Sequence, residues 1–132
     1  FSTYLFFFSS FTAFAQEPDI QAGKKLFNAN CAACHKLNKK AVGPALRGVS
    51  AKYDRDWLYK WIKNSSAMIK DGDPQAVSIW EEYNKAAMPG YQFLKDEELD
   101  DIVEYLAQWQ TKKDEAAATA AAMQAAREAK EY

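Results

Sequence analysis

Asn30-Cys31-Ala32-Ala33-Cys34-His35-Lys36 gathers both cysteines and the one histidine of a 132-residue chain into five consecutive positions. Four chemistries compete for such a cluster. A structural zinc site takes four Cys or His ligands. This chain has three in all, and the adjacent Cys34 and His35 are awkward joint ligands of one ion. A thioredoxin-like redox pair follows a strand in an α/β pattern, and no segment here alternates with period two for long enough to be such a strand. A disulfide within C-x-x-C closes a very short loop and leaves His35 without a part.

The fourth reading uses all three residues, since C-x-x-C-H is the attachment signature of a c-type haem. Two thiols add across the two vinyl groups of the porphyrin, and the two intervening residues set the gap between them. The next residue then lies under the iron, where its imidazole becomes the proximal ligand. The thioethers hold that arrangement in a domain too small to retain haem by burial alone. A six-coordinate iron needs a second soft or imidazole-like ligand. With no second histidine, methionine is the candidate. Met123 sits in an Ala-rich tail, and Met68 sits in the apolar run Ala67-Met68-Ile69, where core packing is the expectation. Met88, in Ala87-Met88-Pro89-Gly90, lies in a loop, and Pro89 restricts it to extended geometry that suits a ligand reaching across a ring face. Met88 is the predicted distal ligand.

Outward from the motif, helical signals dominate. Asp19 can cap a helix from Ile20 to about Asn28, with Ile20, Gly23, Leu26 and Phe27 on one face. Asn30 to Ser50 reads as irregular, with Gly43-Pro44 and Gly48 as breakers. Asp54 or Asp56 starts a second helix through about Asn64, lined by Trp57, Leu58, Trp61 and Ile62. Pro74 suits a first helical turn, and a third helix is predicted over Gln75 to about Asn84. Asp96 to about Lys112 is the clearest helix. Leu99, Ile102, Val103, Leu106 and Trp109 recur at helical spacing, and acids crowd the first turn, where the helix dipole favours them. The fold class is therefore all-α. Residues 113–132 differ: nine of the twenty are Ala. Propensity favours helix there, either as a solvated extension or as a helix lying on a partner.

These residues resemble the class I cytochromes c over about residues 19 to 110. Gly23 and Phe27 resemble the family's N-terminal helix motif, in which a glycine allows close crossing of the C-terminal helix. Asp101 to Ala107 resembles that second helix, with Tyr105 as the aromatic partner. Gly43-Pro44-Ala45-Leu46-Arg47-Gly48 resembles the family's G-P-x-L-x-G segment, whose proline carbonyl accepts from the proximal histidine. The resemblance implies four to five helices around one covalent haem c. It also implies Cys31, Cys34, His35, Pro44 and Met88 as cofactor-binding residues, with His35 and Met88 on the iron. Trp57, Tyr59, Trp61 and Tyr91 are aromatics of the kind that wall the haem or bond its propionates.

Phe1 to Ala15 carries no charge and ends in Ala13-Phe14-Ala15. As a helix it would span roughly 22 Å, short of the ~30 Å hydrocarbon core. It reads as a secretory signal, the alternative being a retained membrane anchor. Either makes the rest an exported, periplasmic domain over residues 16–112, attached to the membrane through the N-terminus or through partner subunits. The net charge of −1 gives no bulk case for nucleic acid. Lys24 through Tyr53 holds seven basic residues and no acid. A basic rim around the haem motif would steer toward an acidic redox partner and weaken with salt.

With both axial positions closed, one-electron transfer is the expected activity, and the chain is a carrier rather than an enzyme. Two settings follow: a haem subunit of a membrane-bound respiratory complex, or a free or tethered carrier feeding a terminal oxidase. The leader and the Asp71-Gly72-Asp73-Pro74-Gln75-Ala76 segment resemble monohaem subunits of bacterial quinol-oxidising complexes of the alternative complex III type. A haem enzyme with a displaceable Met88 is a third setting.

Overall fold

Residues 16–131, the part of the chain described by the computed structural model, hold five helices: α1 (Ile20–Asn30), α2 (Val49–Lys52), α3 (Arg55–Lys70), α4 (Pro74–Glu82) and α5 (Asp96–Glu131). No strand occurs among the described residues. The leader read as a signal or anchor, residues 1–15, lies outside them.

The N-terminal and C-terminal helices cross where Gly23 meets the backbone of α5. A Cβ built on Gly23 would lie 2.0 Å from the Asp101 carbonyl oxygen, so only glycine permits this approach. Asp19 ties the crossing to its own cap. Its carboxylate accepts from the Gln21 and Ala22 N–H groups (2.9 and 3.0 Å), while its N–H donates to Asp101 Oδ1 (2.7 Å). Below the glycine, Phe27 packs its ring on Tyr105 at 5.7 Å and 49°. Phe27, Leu94, Leu99, Ile102 and Leu106 form the buried core around this crossing.

The other helices begin and end by local rules. Asp73 caps α4 by accepting from the Ala76 N–H (2.9 Å), with Pro74 in the first turn as expected. Gly72, in the left-handed region at φ +79°, closes α3. At the start of α5 the Lys95 N–H donates to the Glu98 carboxylate (2.8 Å), half of a capping box.

Three boundaries differ from expectation. The one-turn helix α2 begins in the last two residues of the stretch read as irregular and continues beyond it. α3 does not stop at Asn64; that residue is non-helical (φ −158°, ψ 75°), and the helix resumes behind it to Lys70. Asn64 Oδ1 accepts from the Ala67 N–H (3.1 Å), so Asn64 acts as the N-cap of the resumed segment. Finally, the Ala-rich extension is helical as expected, but it is one unbroken helix with the segment before Lys112, so α5 runs to Glu131. From Thr111 to Lys130 every residue is exposed, so among the described residues this extension joins no buried core and meets the domain at the Arg47–Asp114 ion pair (2.7 Å).

Candidate functional site: a cavity between His35 and Met88

α1 delivers the C-x-x-C-H motif directly. The chain leaves the helix at Cys31, and a tight turn follows, with the Cys34 and His35 N–H groups both donating to the Cys31 carbonyl (3.2 and 2.9 Å). The loop then folds back on the motif. The Gly43 N–H donates to the Cys34 carbonyl (2.9 Å), the Leu46 N–H to Lys36 (3.0 Å) and the Arg47 N–H to Leu37 (2.8 Å). This bracing places Pro44 over the histidine. His35 Nδ1–H donates to the Pro44 carbonyl at 2.9 Å. A carbonyl can only accept, so the proton sits on Nδ1 and the lone pair of Nε2 is left for a metal.

Gly43 completes the cradle. A Cβ there would stand 2.5 Å from His35 Cε1, 2.9 Å from Nδ1 and 3.0 Å from Nε2. The imidazole lies flat against a backbone that tolerates no side chain. Both thiols are free; Cys31 is half-buried and Cys34 exposed. Burial pushes the Cys31 thiol up to about 11, so at neutral pH it is the uncharged thiol.

Cys31, Cys34, His35, Pro44 and Met88 all line one cavity of about 250 Å³ with predominantly apolar walls. Met88 enters from the loop after α4. Ser65 Oγ donates to its carbonyl (3.3 Å), and the Tyr91 N–H donates to the Ile62 carbonyl (3.1 Å). Tyr91 also joins the two sides of the site, because its hydroxyl donates to the Asn30 carbonyl just before Cys31 (2.7 Å). Burial, then proximity to Cys31 and Cys34, raises the Tyr91 phenol above its ordinary value.

The candidate aromatics divide. Trp57, Trp61 and Tyr91 line the cavity. Tyr59 does not; it faces α5 and hydrogen-bonds Asp100, which also pairs with Arg55 (2.9 Å). Tyr53, overlooked in the sequence, joins the wall. Tyr53, Trp57 and Trp61 form a ladder of stacked rings with centroids 4.7 and 5.4 Å apart. Trp57 and Trp61 stand four apart on α3, and Tyr53, in extended backbone just before that helix, continues the stack. Trp57 is further fixed by its indole N–H, which donates to the Asp73 carboxylate at 3.2 Å.

The other methionines are elsewhere. Met68 is half-buried and lines a separate open pocket beside Asp54, Trp57 and Asp73, contrary to the expectation of core packing. Met123 is 70% exposed on the extension of α5. Four features fit a covalent haem: a nitrogen lone pair, a thioether, two thiols three residues apart and apolar walls.

Three lysines stand over aromatic rings of the cavity wall. Lys40 Nζ stands 4.5 Å over the Tyr83 ring, Lys52 Nζ 5.1 Å over Tyr53, and Lys85 Nζ 5.3 Å over Trp80. All three rings line the cavity.

Comparison with known proteins points the same way. The cytochrome c family model matches residues 20–110. Cytochrome c6 of Pyropia yezoensis is 30% identical over 107 residues, covering 80% of this chain and 86% of the relative. The cytochrome c-type cyt cy of Rhodobacter capsulatus is 37% identical over 76 residues, 54% of this chain; the match spans only 37% of that longer protein. Among solved structures, cytochrome c from Rhodothermus marinus superposes with a TM-score of 0.64 at 32% identity, covering 70% of this chain and 78% of that one. The cytochrome c domain of the pp3183 protein from Pseudomonas putida gives 0.61 at 32% identity, covering 67% and 88%.

Proposed function

This chain belongs to the cytochrome c family, carrying one covalent haem c for electron transfer, and we propose that it does so as a periplasmic subunit of a membrane-bound respiratory complex. Cys31 and Cys34 would hold the cofactor as thioethers, with His35 and Met88 as its axial ligands. The observation that carries this ligand set is the single cavity in which an imidazole, fixed by Pro44, and a methionine both stand. Bound there, the haem supplies a one-electron Fe(III)/Fe(II) couple.

The residues then have distinct tasks. Pro44 orients the His35 ring and raises its basicity through the Nδ1 hydrogen bond. Met88 would supply a thioether to the iron, which favours the reduced state relative to a nitrogen ligand and would leave no position open to substrates. The apolar walls disfavour the more positively charged ferric form. Lys40, Lys52 and Lys85 present positive charge over rings of the cavity wall, which would guide an acidic redox partner to the site.

The complex-subunit reading draws support from α5. Its exposed extension adds nothing to the core, and its Ala-rich surface would let another helix approach closely. Among the described residues no helix is long and apolar enough to cross a membrane. Attachment would therefore lie with residues 1–15 or with other subunits. A free or tethered carrier is the second reading, favoured by the fact that every cavity-lining residue falls between Phe27 and Leu106.

Mass spectrometry of the exported protein tests the cofactor: one haem mass must remain attached after acid acetone extraction. Gentle detergent extraction tests the setting. Co-migration with other respiratory subunits supports the first reading, and a monomeric haem protein in the soluble fraction overturns it.

A further inference from the structure

An unbroken α-helix engages the carbonyls of Ile62 and Lys63 with the N–H groups four residues on, those of Ser66 and Ala67. At Asn64 the backbone leaves helical geometry. The Ala67 N–H is taken by Asn64 Oδ1 (3.1 Å), and the Ile62 carbonyl accepts from the Tyr91 N–H (3.1 Å). The Lys63 carbonyl faces Gly90 so closely that a Cβ there would lie 3.0 Å from its oxygen. The next residue, Ser65, is 1% exposed, and its hydroxyl donates to the Met88 carbonyl (3.3 Å). Three residues of α3, Ile62, Lys63 and Ser65, thus clasp the loop from Met88 to Tyr91, and the break at Asn64 lies among them.

We propose that Asn64 is a positioning residue for Met88: by interrupting α3 it presents Ile62, Lys63 and Ser65 to the distal loop and holds Met88 at the cavity. The inference rests on the reading of Met88 as the distal ligand. The physics is a competition for backbone groups. Asparagine favours the break because its side chain caps the resumed helix, whereas alanine favours continuing the ladder. A straightened α3 would turn Ser65 away from Met88 and return the Ile62 carbonyl to the helix. Met88 would then be held by its own bond to the iron alone.

The test is titration of the ferric holoprotein with imidazole, which competes with Met88 for the iron, followed by absorbance. Asn64→Ala should tighten imidazole binding about fivefold, the equivalent of one lost cap, and Ser65→Ala about fivefold, the equivalent of one neutral hydrogen bond. Asn64→Asp keeps the acceptor and should stay within about twofold of the parent. Asp19→Ala removes the cap of a different helix and so lowers stability to a similar degree without touching the loop; it should leave imidazole affinity unchanged. If Asn64→Ala destabilises the protein like Asp19→Ala and leaves imidazole affinity unchanged, the inference is wrong. If Asn64→Ala does not accumulate as holoprotein, Ser65→Ala decides by the same criterion. Met88→Ala separates the premise from the inference. Unchanged imidazole affinity in that variant refutes the ligand reading, whereas a rise there with none in Asn64→Ala or Ser65→Ala refutes only the role of the break.

Discussion

Replacing Gly23 by alanine tests whether the α1–α5 crossing limits the fold. The new methyl carbon would stand 2.0 Å from Asp101 O, 2.5 Å from Asp101 C and 3.1 Å from Ile102 N. All three are backbone atoms and cannot rotate aside, so the helices must part by about 1 Å, a gap that forfeits a quarter to a half of each dispersion contact across it. Phe27, Leu99, Ile102 and Leu106 are the buried side chains at this interface. At about 2 kcal/mol of burial each, losing a quarter costs about 2 kcal/mol. The bond from Asp19 N–H to Asp101 stretches as well, for about 1 kcal/mol. Helix propensity returns about 1 kcal/mol, leaving a net loss of about 2 kcal/mol. With an m-value near 2 kcal/mol/M, the urea midpoint of the holoprotein should fall by roughly 1 M in far-UV circular dichroism. Lys24→Ala, exposed on the same helix, should move it little. A Gly23→Ala protein as stable as its parent would show that close contact does not hold these helices in place.

Met88→Ala should allow carbon monoxide to bind the reduced protein, seen as a shift of its absorbance bands, while the parent does not respond; binding by the parent would contradict a closed distal face. Gly43→Ala places a methyl group against the His35 ring and should weaken its bond to Pro44. A less basic imidazole stabilises the ferric state less, so the reduction potential should rise by roughly 20–60 mV. A fall in spectroelectrochemical titration would contradict that account. Removing residues 114–132 should leave the denaturation midpoint of the domain within about 0.5 M of the parent, because the Arg47–Asp114 pair is half-exposed on both sides and such pairs contribute below about 1 kcal/mol. A larger drop would mean that the extension stabilises the domain.

The candidate site was legible because its parts are local in sequence. Cys31, Cys34 and His35 fall within five positions, Met88 is marked by Pro89, and the fold brings all four to one cavity. The all-α class was legible from periodicity, which places Leu99, Ile102, Val103 and Leu106 on one side of α5. What escaped was long-range or subtle. Tyr59 was grouped with Trp57 and Trp61, although two residues along a helix turn a side chain through about 200°, which sends Tyr59 to Asp100. The helical continuation through Ala67-Met68-Ile69 is hidden because Asn64 has the chemistry of a helix end. Asparagine serves equally to close one helix and to cap the next, and only the fold shows that both happen here. The single turn of α2 is too short for any period to appear.

The continuity of α5 has a mechanical consequence. The helix that crosses Gly23 in the core is the same rigid rod that ends at Glu131. Its exposed part, from Thr111 to Lys130, is about 30 Å long at 1.5 Å per residue. Any body gripping the far end would therefore set the azimuth of the cavity as well as its distance. One residue inserted between Lys112 and Ala116 would swing everything beyond it by about 100° while lengthening the rod by only 1.5 Å, whereas seven would nearly restore the original bearing.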